Sequence, residues 1–134
     1  MPSTGGRSAT GPEGQSFAGV RVLVVEDAWH VAKALKSALE DLGMVVVGPA
    51  ARITDAEQLL HREIPDLALV DVNLKGEMAY GLIDQLHEKG VRVIVVSGYA
   101  VLPSSISRAA AILQKPFGGA ALLATLKQVM QSNA

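Results

Sequence analysis

Four short apolar, β-branched stretches of this sequence each stop at a residue able to do chemistry. Val20 to Val25 stops at Glu26-Asp27, Leu67 to Val70 at Asp71, Val91 to Val96 at Ser97, and Ala111 to Gln114 at Lys115. Together they offer three carboxylates, a hydroxyl and an ammonium. Three crowded acids repel, so either some take up protons or a cation joins them. Oxygen-only ligands, with no cysteine in the chain and no histidine beside them, suit a hard ion such as Mg²⁺, which uses few carboxylates and keeps several waters. One carboxylate is then free to act as a nucleophile. A single acid at a strand end would merely cap a helix or turn; three acids converging on one crevice define a site. The residues after the first stretch, Glu26-Asp27-Ala28-Trp29, contain no glycine to bring backbone amides against a pyrophosphate. That absence, with carboxylates that would repel a nucleotide phosphate unless a metal intervened, argues against dinucleotide and flavin binding.

The elements that must position these groups follow from the apolar spacing. Val31, Leu35, Ala38, Leu39 and Leu42 recur at helical intervals and stop at Gly43. Met44 to Val47 predicts a second strand closed by Gly48-Pro49, and Ala56, Leu59 and Leu60 a helix that runs to about Glu63 and stops at Pro65. Met78, Leu82, Ile83 and Leu86 mark a third helix closed by Gly90. A short Ser/Ala-rich helix is expected near Ser104–Ala110, and Leu122, Leu123, Leu126, Val129 and Met130 carry the last one. Five strands alternating with five helices predict an α/β fold: a doubly wound, flavodoxin-like parallel sheet of order 2-1-3-4-5 with helices on both faces. Ligands of such sheets bind beyond the carboxyl ends of the strands, at the switch point between strands 1 and 3. Neighbouring strands lie about 4.8 Å apart, so the acids at those ends must be close together.

At 134 residues the chain suits one domain. A formal net charge of −1 argues against direct nucleic-acid binding. No apolar run reaches the roughly 18 residues of a membrane span and no signal peptide opens the chain, so a soluble cytoplasmic protein is expected. Residues 1–19 hold five of the thirteen glycines and two of the six prolines, with Phe17 the one bulky apolar side chain. That composition predicts a flexible tail, with the domain spanning 20–134. His30, His61 and His87 fall in predicted helices without a second ligand at a metal-binding interval. Trp29 opens the first helix beside the acidic pair, placed either to cover the metal site or to pack.

The acidic pair in Val-Leu-Val-Val-Glu-Asp, the acid in Leu-Val-Asp-Val-Asn-Leu, the hydroxyl in Val-Val-Ser-Gly and the run Leu-Gln-Lys-Pro-Phe occur in order, each at a strand end. In these motifs residues 20–130 resemble the receiver domain of two-component response regulators. The resemblance implies that Asp71 accepts a phosphoryl group from a histidine kinase, a phosphotransfer protein or a small phosphodonor. It implies that Asp27 ligates Mg²⁺ directly, with Glu26 nearby or acting through water and the Asn73 backbone carbonyl completing the protein ligands. Ser97 resembles the switch hydroxyl, Lys115 the cation that pairs first with Asp71 and then with phosphate, and Pro116 the cis-proline that aims it. Ile112 stands where the family usually has an aromatic switch residue, and Tyr99 is a substitute for it or a plain surface residue. The loop after Asp71 lacks a common proline, and with Ser-Gly-Tyr it is similar to the atypical subgroup known as FAT GUY.

A stand-alone bacterial response regulator is therefore expected, a switch rather than a turnover enzyme, whose output runs through the fourth helix, fifth strand and fifth helix. Ala120, Ala121 and Ala124 on that face would allow a homodimer. The competing readings are a phosphate sink, a receiver-like interaction module with idle chemistry, and a small aspartyl-phosphate hydrolase. The hydrolase usually needs a second acid where this chain has Asn73.

Overall fold

Side chains along β1, Arg21–Val25, alternate between two separate cores, and this alternation organises the molecule. Leu23 and Val25 point to one face, packed with Ala56, Leu60, Leu82, Ile83 and Leu86; Val22 and Val24 point to the other, with Leu35, Leu39, Leu122, Leu126 and Val129. A strand buried on both sides in this way belongs in the middle of a parallel sheet. The computed structural model describes residues 17–98 and 108–131.

After β1 the chain runs through α1 (Trp29–Asp41), β2 (Val45–Ala50), α2 (Ile53–Arg62) and β3 (Leu67–Asp71). A small hairpin follows, β4 (Asn73–Leu74) and β5 (Glu77–Met78), then α3 (Tyr80–Glu88), β6 (Arg92–Ser97), β7 (Ala111–Gln114) and α4 (Gly119–Gln131). The main sheet has the order β2-β1-β3-β6-β7 with every pairing parallel. With the hairpin strands left out of the count, this is the expected 2-1-3-4-5. Helices α1 and α4 cover one face, and α2 and α3 the other. No helix among the described residues is long and apolar enough to cross a membrane.

Four local expectations need correction. The second strand is not Met44–Val47: it starts at Val45 and continues through Gly48-Pro49 to Ala50. Gly48 has φ +92° and Pro49 follows a cis peptide bond. A Cβ on Gly48 would lie 2.9 Å from the Ala50 nitrogen and 3.3 Å from the Val24 carbonyl oxygen, so glycine is needed for this close passage. The β1–β2 register shifts there, from Leu23 opposite Val47 to Val25 opposite Ala50. Met78 belongs to the hairpin, and α3 begins only at Tyr80. The helix expected at Ser104–Ala110 lies partly outside the described residues; its last three residues, Arg108 to Ala110, are turn and irregular chain.

The fourth correction concerns the expected tail. Phe17 is only 8% exposed and packs in the α1/α4 core, and Gly19 N–H donates to the Gly43 carbonyl at 2.9 Å. The packed structure therefore starts at least three residues before Val20. Phe17→Ala is expected to destabilise the protein by about 3 kcal/mol, the lower end for removing a buried phenylalanine side chain. Urea unfolding measures it; a loss below about 0.5 kcal/mol would return Phe17 to the tail.

Candidate functional site

The carboxyl ends of the strands present the chemistry. Backbone bonds fix the spacing: Glu26 N–H donates to the Ala50 carbonyl at 2.9 Å, and Lys115 N–H to the Ser97 carbonyl at 2.7 Å. Asp71 sits opposite Val96, and Ser97 opposite Gln114. The groups following β1, ending β3 and β6, and following β7 therefore face one crevice.

Lys115 Nζ lies 2.8 Å from Asp71 Oδ2 and 3.2 Å from Glu26 Oε1. Asp71 Oδ1 accepts from Asn73 N–H at 3.1 Å, and Glu26 Oε2 from Ala28 N–H at 3.1 Å. Glu26 is 3% exposed, Asp71 5%, and Ser97 is fully buried, while Asp27 is half-buried. Glu26, Asp27 and Asp71 each bring one oxygen within 4.8 Å of the others. Glu26 Oε1 is buried at ion-pair distance from Lys115 yet makes no aligned hydrogen bond. A buried carboxylate oxygen without an aligned donor, beside two further acids, fits a hard divalent cation.

Burial pushes the Glu26 carboxyl above its ordinary value; the Ala28 amide and Lys115 oppose this, and the charge of Asp71 reinforces it. Burial also works against the Lys115 ammonium, but the hydrogen bond to Asp71 and the charges of Asp71 and Glu26 outweigh it and hold its pKa above the usual lysine value. Glu26→Gln is therefore expected to stabilise the metal-free protein by about 1 kcal/mol, a few degrees in Tm, by removing a poorly compensated buried charge. Because Glu26 titrates higher when folded, the wild type is most stable relative to this variant at low pH. The variant's advantage grows as pH rises through the Glu26 folded pKa. Thermal melts in chelator at several pH values check the sign; a variant less stable at neutral pH would contradict it.

The remaining expected residues fall as follows. The Lys115–Pro116 peptide is cis. Ile112 is half-exposed in the middle of β7. Tyr99 lies outside the described residues. Trp29 is 72% exposed, carries the Lys33 ammonium 5.0 Å from its ring centroid, and lines a cleft of about 300 Å³ with Glu26, Asp27, Lys33 and Pro49. It borders the acidic crevice instead of packing in the core. His30 lies beside an apolar cleft of about 420 Å³ between α1 and the Pro116–Gly119 turn, while His61 and His87 are exposed. Among the described residues the acidic trio is the one cluster of side chains spaced to hold a metal ion. Sequence reasoning missed Gly76, whose N–H donates to Asn73 Oδ1 at 2.7 Å. The interval Asn73-Leu74-Lys75-Gly76 was its signal, since asparagine caps tight turns and glycine closes them.

The chain matches the response regulator receiver domain over residues 22–127. A CheY-like receiver domain from Methanospirillum hungatei is 28% identical with a TM-score of 0.76, covering 85% of this chain and 95% of its own. One from Methylobacillus flagellatus is 26% identical with a TM-score of 0.73, covering 84% and 99%. A response regulator from Burkholderia pseudomallei, solved with a phosphorylated aspartic acid, a calcium ion and citrate, is 27% identical with a TM-score of 0.71, covering 85% and 72%. No curated protein sequence matches the chain. Strand order, acidic crevice and family match agree: this chain belongs to the response regulator receiver domain family.

Proposed function

We propose that the chain is a Mg²⁺-dependent phosphoacceptor switch with Asp71 as the acceptor. The observation that carries this reading is a nearly buried Asp71, held by Lys115 at 2.8 Å beside Glu26 and Asp27. The donor is a phosphohistidine of a histidine kinase or phosphotransfer protein, or a small phosphoramidate. An Asp71 carboxylate oxygen attacks phosphorus as the P–N bond breaks. The acyl phosphate forms, and the departing nitrogen keeps the bond's electron pair and takes a proton. Such transfer needs positioning and positive charge near the phosphoryl oxygens more than it needs covalent help. Lys115 supplies part of that charge and exchanges its Asp71 oxygen for a phosphoryl oxygen. Asp27, Asp71 and the Asn73 carbonyl, with Glu26 close by, would hold Mg²⁺, which would supply the rest of that charge. Ser97 donates to the new phosphoryl group. The change is passed to a partner protein through the surface of β7 and α4. With Ile112 half-exposed on that surface, the readout uses no rotating aromatic ring at this position. The absent proline after Asp71 and the sequence Ser97-Gly98-Tyr99 support membership of the FAT GUY subgroup.

The test is incubation with phosphoramidate and Mg²⁺, followed by intact-mass measurement and site mapping. One phosphoryl group on Asp71, lost when Mg²⁺ is chelated, is expected. Trp29, the chain's single tryptophan, reports metal binding independently by its emission. A folded protein that binds Mg²⁺ but takes no phosphoryl group, from phosphoramidate or from phosphohistidine donors, would sink the proposal.

A further inference from the structure

Both oxygens of Asp71 have an assigned partner: Lys115 holds Oδ2, and the Asn73 N–H holds Oδ1 at 3.1 Å. The Asn73 side chain works in the opposite direction, accepting at 2.7 Å from Gly76 N–H and closing the turn of the β4–β5 hairpin. That turn needs two successive left-handed residues, Lys75 at φ +53° and Gly76 at φ +92°. Left-handed backbone is unfavourable for a residue with a side chain, and lysine gains nothing local from it. Lys75, Gly76, Glu77 and Met78 are all exposed, so burial of the hairpin tip does not account for the conformation. What the turn does fix is the backbone at Asn73. Asn73 pairs with Met78, Leu74 is buried beneath the hairpin, and Ala79 N–H returns to the Val72 carbonyl at 2.9 Å.

We infer that the Asn73–Gly76 turn is a positioning device for the phosphoacceptor, with Gly76 as the residue outside the crevice that sets it. The closed turn holds the Asn73 N–H against Oδ1, so the Asp71 carboxylate keeps one rotation about its χ2 axis. With the turn open, Asp71 would be held by Lys115 alone and would sample orientations unsuited to in-line attack. The Asn73 carbonyl, on the same fixed backbone, would drift with it. The inference rests on Asp71 being the acceptor; the turn's hold on Asn73 can be measured separately.

A Cβ on Gly76 would meet nothing within 4 Å, so substitutions there test backbone conformation without a clash. Gly76→Val should open the turn, because β-branched residues strongly resist positive φ. Gly76→Asn should keep it closed, because asparagine visits the left-handed region. Three readouts are expected to move together in Gly76→Val: faster amide hydrogen exchange at Asn73, weaker Mg²⁺ binding by Trp29 emission, and phosphoramidate labelling slowed about tenfold or more. Gly76→Asn should return all three close to wild type. Wild-type Asn73 protection and labelling in Gly76→Val would overturn the inference, and so would equal impairment of the two variants. If the wild type takes no label, the phosphoacceptor reading fails, and amide exchange and Mg²⁺ affinity still decide whether the turn holds Asn73. If Gly76→Val does not fold, Asn73→Ala removes the closing oxygen while leaving the backbone amide, and the same readouts apply.

Discussion

Asp71→Asn is expected to abolish phosphoryl uptake completely while leaving the sheet intact. An amide oxygen of the same shape still accepts from Asn73 N–H, but it is too weak a nucleophile to displace a phosphoramidate nitrogen. The fold should not suffer. Removing one charge from a crevice that holds three acids against one lysine relieves repulsion with Glu26, and Lys115 keeps Glu26 at 3.2 Å. Metal-free Tm is therefore expected to stay level or rise. Mg²⁺ affinity should fall, because two acids remain in place of three. Stoichiometric labelling of this variant, with the mass on another side chain, would remove Asp71 from its assigned role.

Lys115→Met separates the two tasks assigned to the ammonium. The substitution keeps an apolar stem of similar length and deletes both short contacts, leaving two nearly buried carboxylates with no cation between them. Breaking one side of a buried pair costs about 3 kcal/mol at the lower end of its range, the appropriate end for a lysine that keeps some contact with solvent. The raised pKa of Lys115 means this stabilisation is complete below the ordinary lysine value of 10.5, wherever both carboxylates are ionised, and is lost as pH rises through the folded value. Labelling with phosphoramidate should slow by about 10²–10³-fold, as when one electrostatic donor is removed from a reaction centre. Saturating Mg²⁺ should recover much of the stability but not the rate. Recovery of both would reduce Lys115 to a counter-ion.

These effects were open to sequence reasoning because the site groups lie at the ends of strands. Val22–Val25, Leu67–Val70 and Val93–Val96 are apolar runs that stop at chemistry, and a doubly wound sheet brings such stops together. Where the outcome depended on backbone detail, the sequence was silent or misleading. Gly48-Pro49 has the composition of a turn, yet the strand passes through it because one extra residue is accommodated opposite Val24. The hairpin after Asp71 has strands of two residues, too short for any alternation to show. Phe17 was hidden by Gly- and Ser-rich neighbours that say nothing about a single anchoring ring. Trp29 was ambiguous until its exposure placed it at the rim of the crevice.

The sheet also acts as a ruler. The three acids bring one oxygen each within 4.8 Å of one another because Glu26 and Asp27 follow β1 and Asp71 ends β3, its neighbour in the sheet. The pitch of backbone hydrogen bonding thus sets how far Asp71 stands from the Glu26–Asp27 pair. Volume-conserving exchanges in the interior are expected to leave the groups at the rim in place, provided five strands stay in register. Insertion of one residue within β3 is a different kind of change: it would turn Asp71 to the opposite face of the sheet and silence the site, even in a protein that still folds.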